Sequence, residues 1–283
     1  MRHLANIVRL ISASIVFAFT ASTHANSADA VEDGRPIVIG KSYTIQSKVL
    51  GDTRRLNVYL PPDYKDSSRK FPVLVLLDGG EAEDFHHISG LAQVTAFNGA
   101  VEELIVVGIE GVDRKHDLTS PSSDPEDVKL DPTSGGAAAY RKFLVEEVKP
   151  WIAGRYRVSG RYGLIGESLA GLFAVETCLR APQSFDDYIA ASPSLWWDKE
   201  NLSREAAADF AKGDFRGRQL WLSVGNEGST MQEAIERVVA ASNSTNPNGF
   251  TMHYDPRPEE RHDTIYEPTA IAALRTLYAV KKP

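Results

Sequence analysis

Two continuous apolar runs, Val73-Leu74-Val75-Leu76-Leu77 and Leu104-Ile105-Val106-Val107, limit the possible folds more than any other feature of the chain. Neither alternates with polar residues, so each reads as a strand buried on both faces, the usual condition of a parallel sheet. Between them, His86 to Phe97 has room for a crossover helix. The same alternation continues to the end of the chain. Tyr162 to Gly166, Tyr188 to Ala191, Leu220 to Val224 and Phe250 to Tyr254 read as strands. Leu172 to Leu179, Met231 to Ala241 and Ile271 to Val280 read as helices, and Tyr140, Phe143, Leu144, Val148, Trp151 and Ile152 share one helical face. Ahead of this block, Tyr43 to Leu50 and Arg55 to Leu60 form two strands around a Gly51-Asp52-Thr53 turn, and Pro61-Pro62 stops the pairing. The segment Asp113 to Ser134, rich in Asp, Ser and Pro, reads as a long loop. The expectation is an α/β fold with a mainly parallel sheet covered on both faces.

Residues 1–25 stand outside that pattern. Arg2, His3 and Arg9 precede an apolar run from Leu10 to Phe19, and small residues lead to Thr23-His24-Ala25. This order is that of a secretory signal peptide, cleaved after Ala25 or, at a second small-residue point, after Ala30. The mature chain, 26–283, is expected to be one domain, periplasmic or secreted, without stable membrane insertion. Loss of Arg2 and Arg9 takes the formal charge from -7 to -9, which argues against a nucleic-acid partner. A lone Cys178 excludes an intramolecular disulfide and any multi-thiolate metal centre. Oligomeric state is not legible.

The chemistry-bearing motif is Gly166-Glu167-Ser168-Leu169-Ala170-Gly171, which joins a buried strand to an apolar helix. A serine at such a junction can project from a sharp turn at the carboxyl edge of the sheet. The amide of Leu169, first in the new helix, then points where an oxyanion would form. The fifth position of the motif is Ala170 where glycine is usual, still a small residue. Serine needs a base. Of the histidines late in the chain, His253 lies inside a strand, whereas His262 lies in a polar loop after the last strand, where a base belongs. Glu227, following the strand Leu220 to Val224, is the candidate acid, with Asp198, Glu259 and Asp263 as rivals. The loop Leu77-Asp78-Gly79-Gly80 offers Gly80 N–H as a second oxyanion donor. Trp196 and Trp197 are candidates to wall a pocket, with core packing the alternative for one of them. Loops at 81–100 and 113–136 are expected to shape the pocket.

Other constellations carry less. His86-His87 beside Glu83 and Asp84 fits no three-ligand zinc spacing, and Asp113, Asp117, Asp124 and Asp127 do not make a calcium loop. There is no phosphate-binding glycine loop and no dinucleotide fingerprint, so no cofactor or metal is implied.

Several stretches together carry a family likeness. They are Leu76-Leu77-Asp78-Gly79, Ile105 to Ile109, Arg114 with Asp117-Leu118-Thr119, and Ser134-Gly135-Gly136-Ala137. The serine motif, Ser192-Pro193-Ser194-Leu195-Trp196-Trp197-Asp198, Gly225-Asn226-Glu227 and the His262 loop continue it. From about residue 40 to 280 the chain resembles the esterase family of α/β-hydrolases that includes S-formylglutathione hydrolase, siderophore trilactone esterases, feruloyl esterases and mycolyltransferases, its siderophore-esterase branch above all. The resemblance implies an α/β-hydrolase fold, Ser168 as nucleophile, Glu227 as acid, His262 as base, and amides of Gly80 and Leu169 as the oxyanion hole. It also implies Arg114 as a substrate-binding residue for an anionic, catechol-bearing group. The expected function is hydrolysis of a small-molecule carboxylic ester through an acyl-enzyme, on siderophore or other small aromatic acyl esters. Acyl transfer on the same fold, or a non-catalytic binding protein that keeps it, are the alternatives.

Overall fold

The computed structural model describes residues 34–66 and 68–280; the signal-peptide segment and both cleavage points lie outside these residues. From Val38 onward the described chain forms one compact unit. Eight strands make one sheet: β1 (Lys41–Gln46), β2 (Thr53–Tyr59), β3 (Phe71–Leu76), β4 (Ile105–Ile109), β5 (Val158–Glu167), β6 (Asp187–Ala191), β7 (Gln219–Val224) and β8 (Thr251–Pro256). Their spatial order is β1-β2-β4-β3-β5-β6-β7-β8. The β1/β2 and β2/β4 pairs are antiparallel and all the others parallel. This is the mainly parallel sheet expected, with an antiparallel corner at the chain's start.

Both faces are covered. Val73 and Val75 pack into one core, with Tyr140, Phe143, Phe173, Ala206 and Val238 from the helices on that face. Leu74 and Leu76 pack into the other, against Phe85, Ile88, Ala270 and Leu274. Hence the uninterrupted apolar runs: successive residues of one strand face opposite ways, and each meets a helix. The helices are α1 (Phe85–Phe97), α2 (Arg114–Leu118), α3 (Pro125–Leu130), α4 (residues 137–153), α5 (Leu169–Arg180), α6 (Trp197–Lys212), α7 (Ser229–Thr245) and α8 (Tyr266–Leu277). α5 is buried along its whole apolar length, from Leu169 to Leu179. α4 passes through a π-helical turn at Leu144–Val148 ahead of Pro150, which has no N–H to give an α-helical partner. Among the described residues no helix is long and apolar enough to cross a membrane.

Two local expectations need correction, and one helix is not signalled. β1 ends at Gln46, because Glu147 accepts the amides of Lys48 and Val49 and withdraws them from pairing. The segment 113–134 is not simply a loop. Asp113 accepts the His116 amide and Asp124 accepts the Glu126 amide, and these two N-caps start α2 and α3, the second with Pro125 at its first position. α6 went unread, since its first turn departs from helical geometry at Asp198, Lys199 and Glu200, all with positive φ.

α2 is tied to the sheet by a buried ion pair. The Arg54 guanidinium of β2 meets Asp117 with both nitrogens, Nη2 to Oδ1 at 3.2 Å and Nη1 to Oδ2 in closer contact, and both residues are 3% exposed. Removing one partner strands the other charge in the interior. Arg54→Met is therefore expected to lower unfolding free energy by about 3–5 kcal/mol, read from urea denaturation midpoints. A change below about 1 kcal/mol would mean the pair is solvated as a surface pair is.

Candidate active site

The sheet's parallel strands all end at one edge, and the backbone turns sharply there. Asp78 after β3, Ser168 after β5 and Ser192 after β6 have φ of 50°, 58° and 40°, values that L-residues rarely adopt. At Ser168 (φ 58°, ψ -118°) the turn converts strand directly into helix. Strand and helix can come this close because Gly166 has no side chain: a Cβ there would lie 2.5 Å from the Ala170 Cβ. Ala170 is tolerated in the usual glycine place because Gly166 leaves the room.

The turn presents the Ser168 hydroxyl to His262. Ser168 Oγ lies 3.1 Å from His262 Nε2, and His262 Nδ1 lies 2.6 Å from Glu227 Oε2. Three loops separated by up to 94 residues thus meet in one hydrogen-bonded chain. The loops that hold Glu227 and His262 are stitched together, with Asn226 N–H donating to Glu260 O at 2.7 Å and Arg257 N–H to Val224 O at 2.8 Å. The rival acids are committed elsewhere or stand apart. Asp263 is paired with Arg261, Asp198 accepts from Ser122 and Ser123, and Glu259 is exposed. His253 stacks on Trp221 within the sheet region.

The oxyanion candidates part company. Leu169 N–H, at the first position of α5, has no acceptor among the described residues, and Leu169 lines the cleft. Gly80 N–H instead donates to Glu83 Oε2 at 2.6 Å, and the same carboxylate accepts from Gly111 N–H at 3.3 Å. Gly80 is buried and contributes nothing to the cleft wall. The turn that brings Glu83 back over Gly80 satisfies that donor within the protein in this structure.

The cleft has a volume of about 690 Å³. Ser168, Leu169, Trp196 and Met231 lie along it with Leu130, and Arg114, Lys115 and Arg261 bring positive charge. Arg114 Nε donates to Asp78 Oδ2 at 2.8 Å, so its guanidinium is anchored on one side and remains 40% exposed. Both tryptophans touch the cleft, but Trp197 is also core, 5% exposed, with Nε1–H donated to Ser120 O at 2.8 Å. α2 and α3 supply cleft residues, whereas 81–100 supplies none and packs as turn and helix.

Local charges set the titration of these groups. The hydrogen bond that His262 donates to Glu227 raises its imidazole above its usual range, against the opposing effect of burial, with further help from Glu167 and opposition from Arg114. Burial works to raise the Glu227 carboxyl, yet bonds from His262, Ser192 and Gly225 outweigh it and hold the group below the carboxylate range. Glu167, half-buried beside the serine, is pushed by burial up to about 7. Reading the sequence missed three hydroxyl and carboxyl groups at the site: Glu83, Ser192 and Ser194. Ser194 Oγ lies 3.2 Å from Ser168 Oγ, and Ser192 Oγ–H is in close contact with Glu227 Oε1. For Ser192 and Ser194 the sequence signal is the Ser192-Pro193-Ser194 triplet at a strand end.

Comparison with known proteins agrees with this architecture. Over 145 residues the chain is 33% identical to the ferri-bacillibactin esterase BesA of Bacillus subtilis, 46% of this chain and 50% of that one. Over 102 residues it is 38% identical to a siderophore enterobactin esterase of Emericella nidulans, 33% of this chain and 34% of that one. The matches thus span between a third and a half of these curated relatives. An IroE-like serine hydrolase from Shewanella oneidensis superposes with a TM-score of 0.79 at 27% identity, covering 86% of this chain and 82% of that one. The siderophore hydrolase EstB of Aspergillus nidulans has the same fold, with a TM-score of 0.71 at 22% identity over 87% of this chain and 98% of that one. The profile of the "Putative esterase" family matches residues 47–269, and with the α/β-hydrolase sheet described above this chain belongs to that family.

Proposed function

We propose that the protein is a serine hydrolase that cleaves carboxylic esters through an acyl-enzyme. The observation that carries this reading is the unbroken contact chain Ser168 Oγ–His262 Nε2, His262 Nδ1–Glu227 Oε2 at the wall of a cleft. With Nδ1–H donated to Glu227, Nε2 is free to accept the Ser168 proton. Ser168 Oγ attacks the ester carbonyl carbon and His262 takes its proton. The oxyanion receives Leu169 N–H, a contact worth roughly 3–4 kcal/mol in sites of this kind. The tetrahedral intermediate collapses as His262 protonates the departing alcohol. Water then attacks the acyl carbon as His262 takes its proton, and the second intermediate collapses to the free acid as His262 returns that proton to Ser168 Oγ.

The substrate class we propose is a siderophore or other small aromatic acyl ester. Trp196, Leu130 and Met231 offer apolar contact to an aromatic ring, and Arg114, Lys115 and Arg261 suit negative charge on it. The names of the relatives point the same way. In this reading residues 1–25 are a signal peptide, 26–283 one mature domain, and the enzyme acts in the periplasm or outside the cell.

Labelling by a fluorophosphonate probe is expected in the wild type and absent in Ser168→Ala, with ester turnover in that variant reduced by roughly 10³-fold or more. A catecholate trilactone or an aromatic acyl ester should be preferred over an aliphatic p-nitrophenyl ester. Undiminished labelling in Ser168→Ala would defeat the assignment of the nucleophile. The pH profile gives a second test. Attack needs neutral His262, and Glu227 and Glu167 both favour its charged form. The acid limb of kcat/KM should therefore lie above 6.5 and move down in Glu167→Gln, which removes the charge that Glu167 acquires as it ionises around 7. A limb that moves up in that variant would contradict the electrostatics described.

A further inference from the structure

Glu227 is gripped from the side away from His262. Its Oε2 faces His262 Nδ1 at 2.6 Å, and its Oε1 accepts the Ser192 hydroxyl in close contact and Gly225 N–H at 3.2 Å. Ser192 is fully buried, directly after β6, and its own N–H is donated to Ser223 O at 3.0 Å. Its backbone has φ of 40°, a region where glycine is at ease and an L-residue is strained. Glycine would relieve the turn but would lose the hydroxyl. A strained, buried residue whose side chain has one evident partner is held for that partner.

We propose that Ser192 is a positioning residue for Glu227. Its hydroxyl fixes the carboxylate rotamer so that Oε2 stays in line with His262 Nδ1, and the imidazole keeps Nε2 toward Ser168. Gly225 N–H alone does not tie the acid to another element, because it belongs to Glu227's own loop, two residues away. Ser192 comes from a different strand end and anchors the acid to the same β6 terminus whose Ala191 O accepts the Ser168 amide at 3.0 Å. Nucleophile and acid are thereby referenced to one short stretch of backbone, Ala191-Ser192. The inference rests on the hydrolase reading for its kinetic consequence and on geometry alone for its spectroscopic one.

The test compares Ser192→Gly and Ser192→Ala with the wild type. Both remove the hydroxyl, and only glycine relaxes the turn. Loss of a hydrogen bond to a charged group corresponds to roughly a 10- to 100-fold effect, expected here in kcat with KM changed by no more than about twofold. Ser192→Gly should melt no lower than Ser192→Ala, so the loss of activity does not follow stability. In a Glu227→Gln background, Ser192→Gly should cause little further loss, because there is no carboxylate left to orient. A downfield proton NMR resonance from the His262 Nδ1–H bond to Glu227 is expected in the wild type and should weaken or move upfield in both variants. Folded variants that keep wild-type kcat and an unchanged resonance would overturn the inference. If the wild type hydrolyses no ester but the resonance responds to Ser192, the proposed activity fails while the positioning role stands.

Discussion

Everything at this site depends on a backbone turn that an L-residue resists. Ser168 holds φ of 58° between a buried strand and a buried helix, at a strain of about 1–3 kcal/mol. The turn persists because what surrounds it over-determines it. β5 is paired on both sides, α5 is buried along its length, and Gly166 lets Ala170 close the angle. Strain of this kind is stored where rigid elements leave no alternative, and here it aims one hydroxyl out of the sheet edge. The same edge carries strained turns at Asp78 and Ser192, which anchor Arg114 and Glu227. Positive φ thus recurs at three strand ends along this edge, at Asp78, Ser168 and Ser192.

Charge is arranged in two layers around that rim. Glu227 is kept ionised by three donors and faces the imidazole, while Glu167, lacking such donors, is driven by burial toward neutrality. Two carboxylates within reach of one histidine thus have opposite tendencies, set by hydrogen bonding in one case and desolvation in the other. Arg114 opposes both the charging of His262 and the neutralisation of Glu167, and is itself steadied by Asp78. Glu83 adds a feature of the resting structure: it keeps the Gly80 amide occupied, so the open donor beside the nucleophile is Leu169 N–H.

How much of this was legible in the sequence follows from which signals are local. The apolar runs at Val73 and Leu104 reported the parallel strands because burial on both faces leaves no other composition. The strand–turn–helix around Ser168 and the loop position of His262 were readable for the same reason: each is a short pattern with a fixed place in the fold. α6 was not, since three positive-φ residues break its first turn, and α2 and α3 were hidden in a polar segment whose Asp113 and Asp124 caps were read as loop composition. The partners of Gly80 and Glu227 were out of reach altogether. Which carboxylate satisfies an amide, or which hydroxyl grips an acid, depends on side chains brought together from separate strand ends. The Ser192–Glu227 contact spans 35 residues, and no periodicity encodes it.

We propose that Ser168 carries the acyl group during turnover. This is tested most directly by quenching the reaction with a slowly deacylating aromatic ester and reading the peptide that contains Ser168 by mass spectrometry. The account requires the mass of the acyl group on that peptide, appearing faster than product release and decaying as the free acid forms. Sustained turnover with that peptide unmodified at every time point would contradict it.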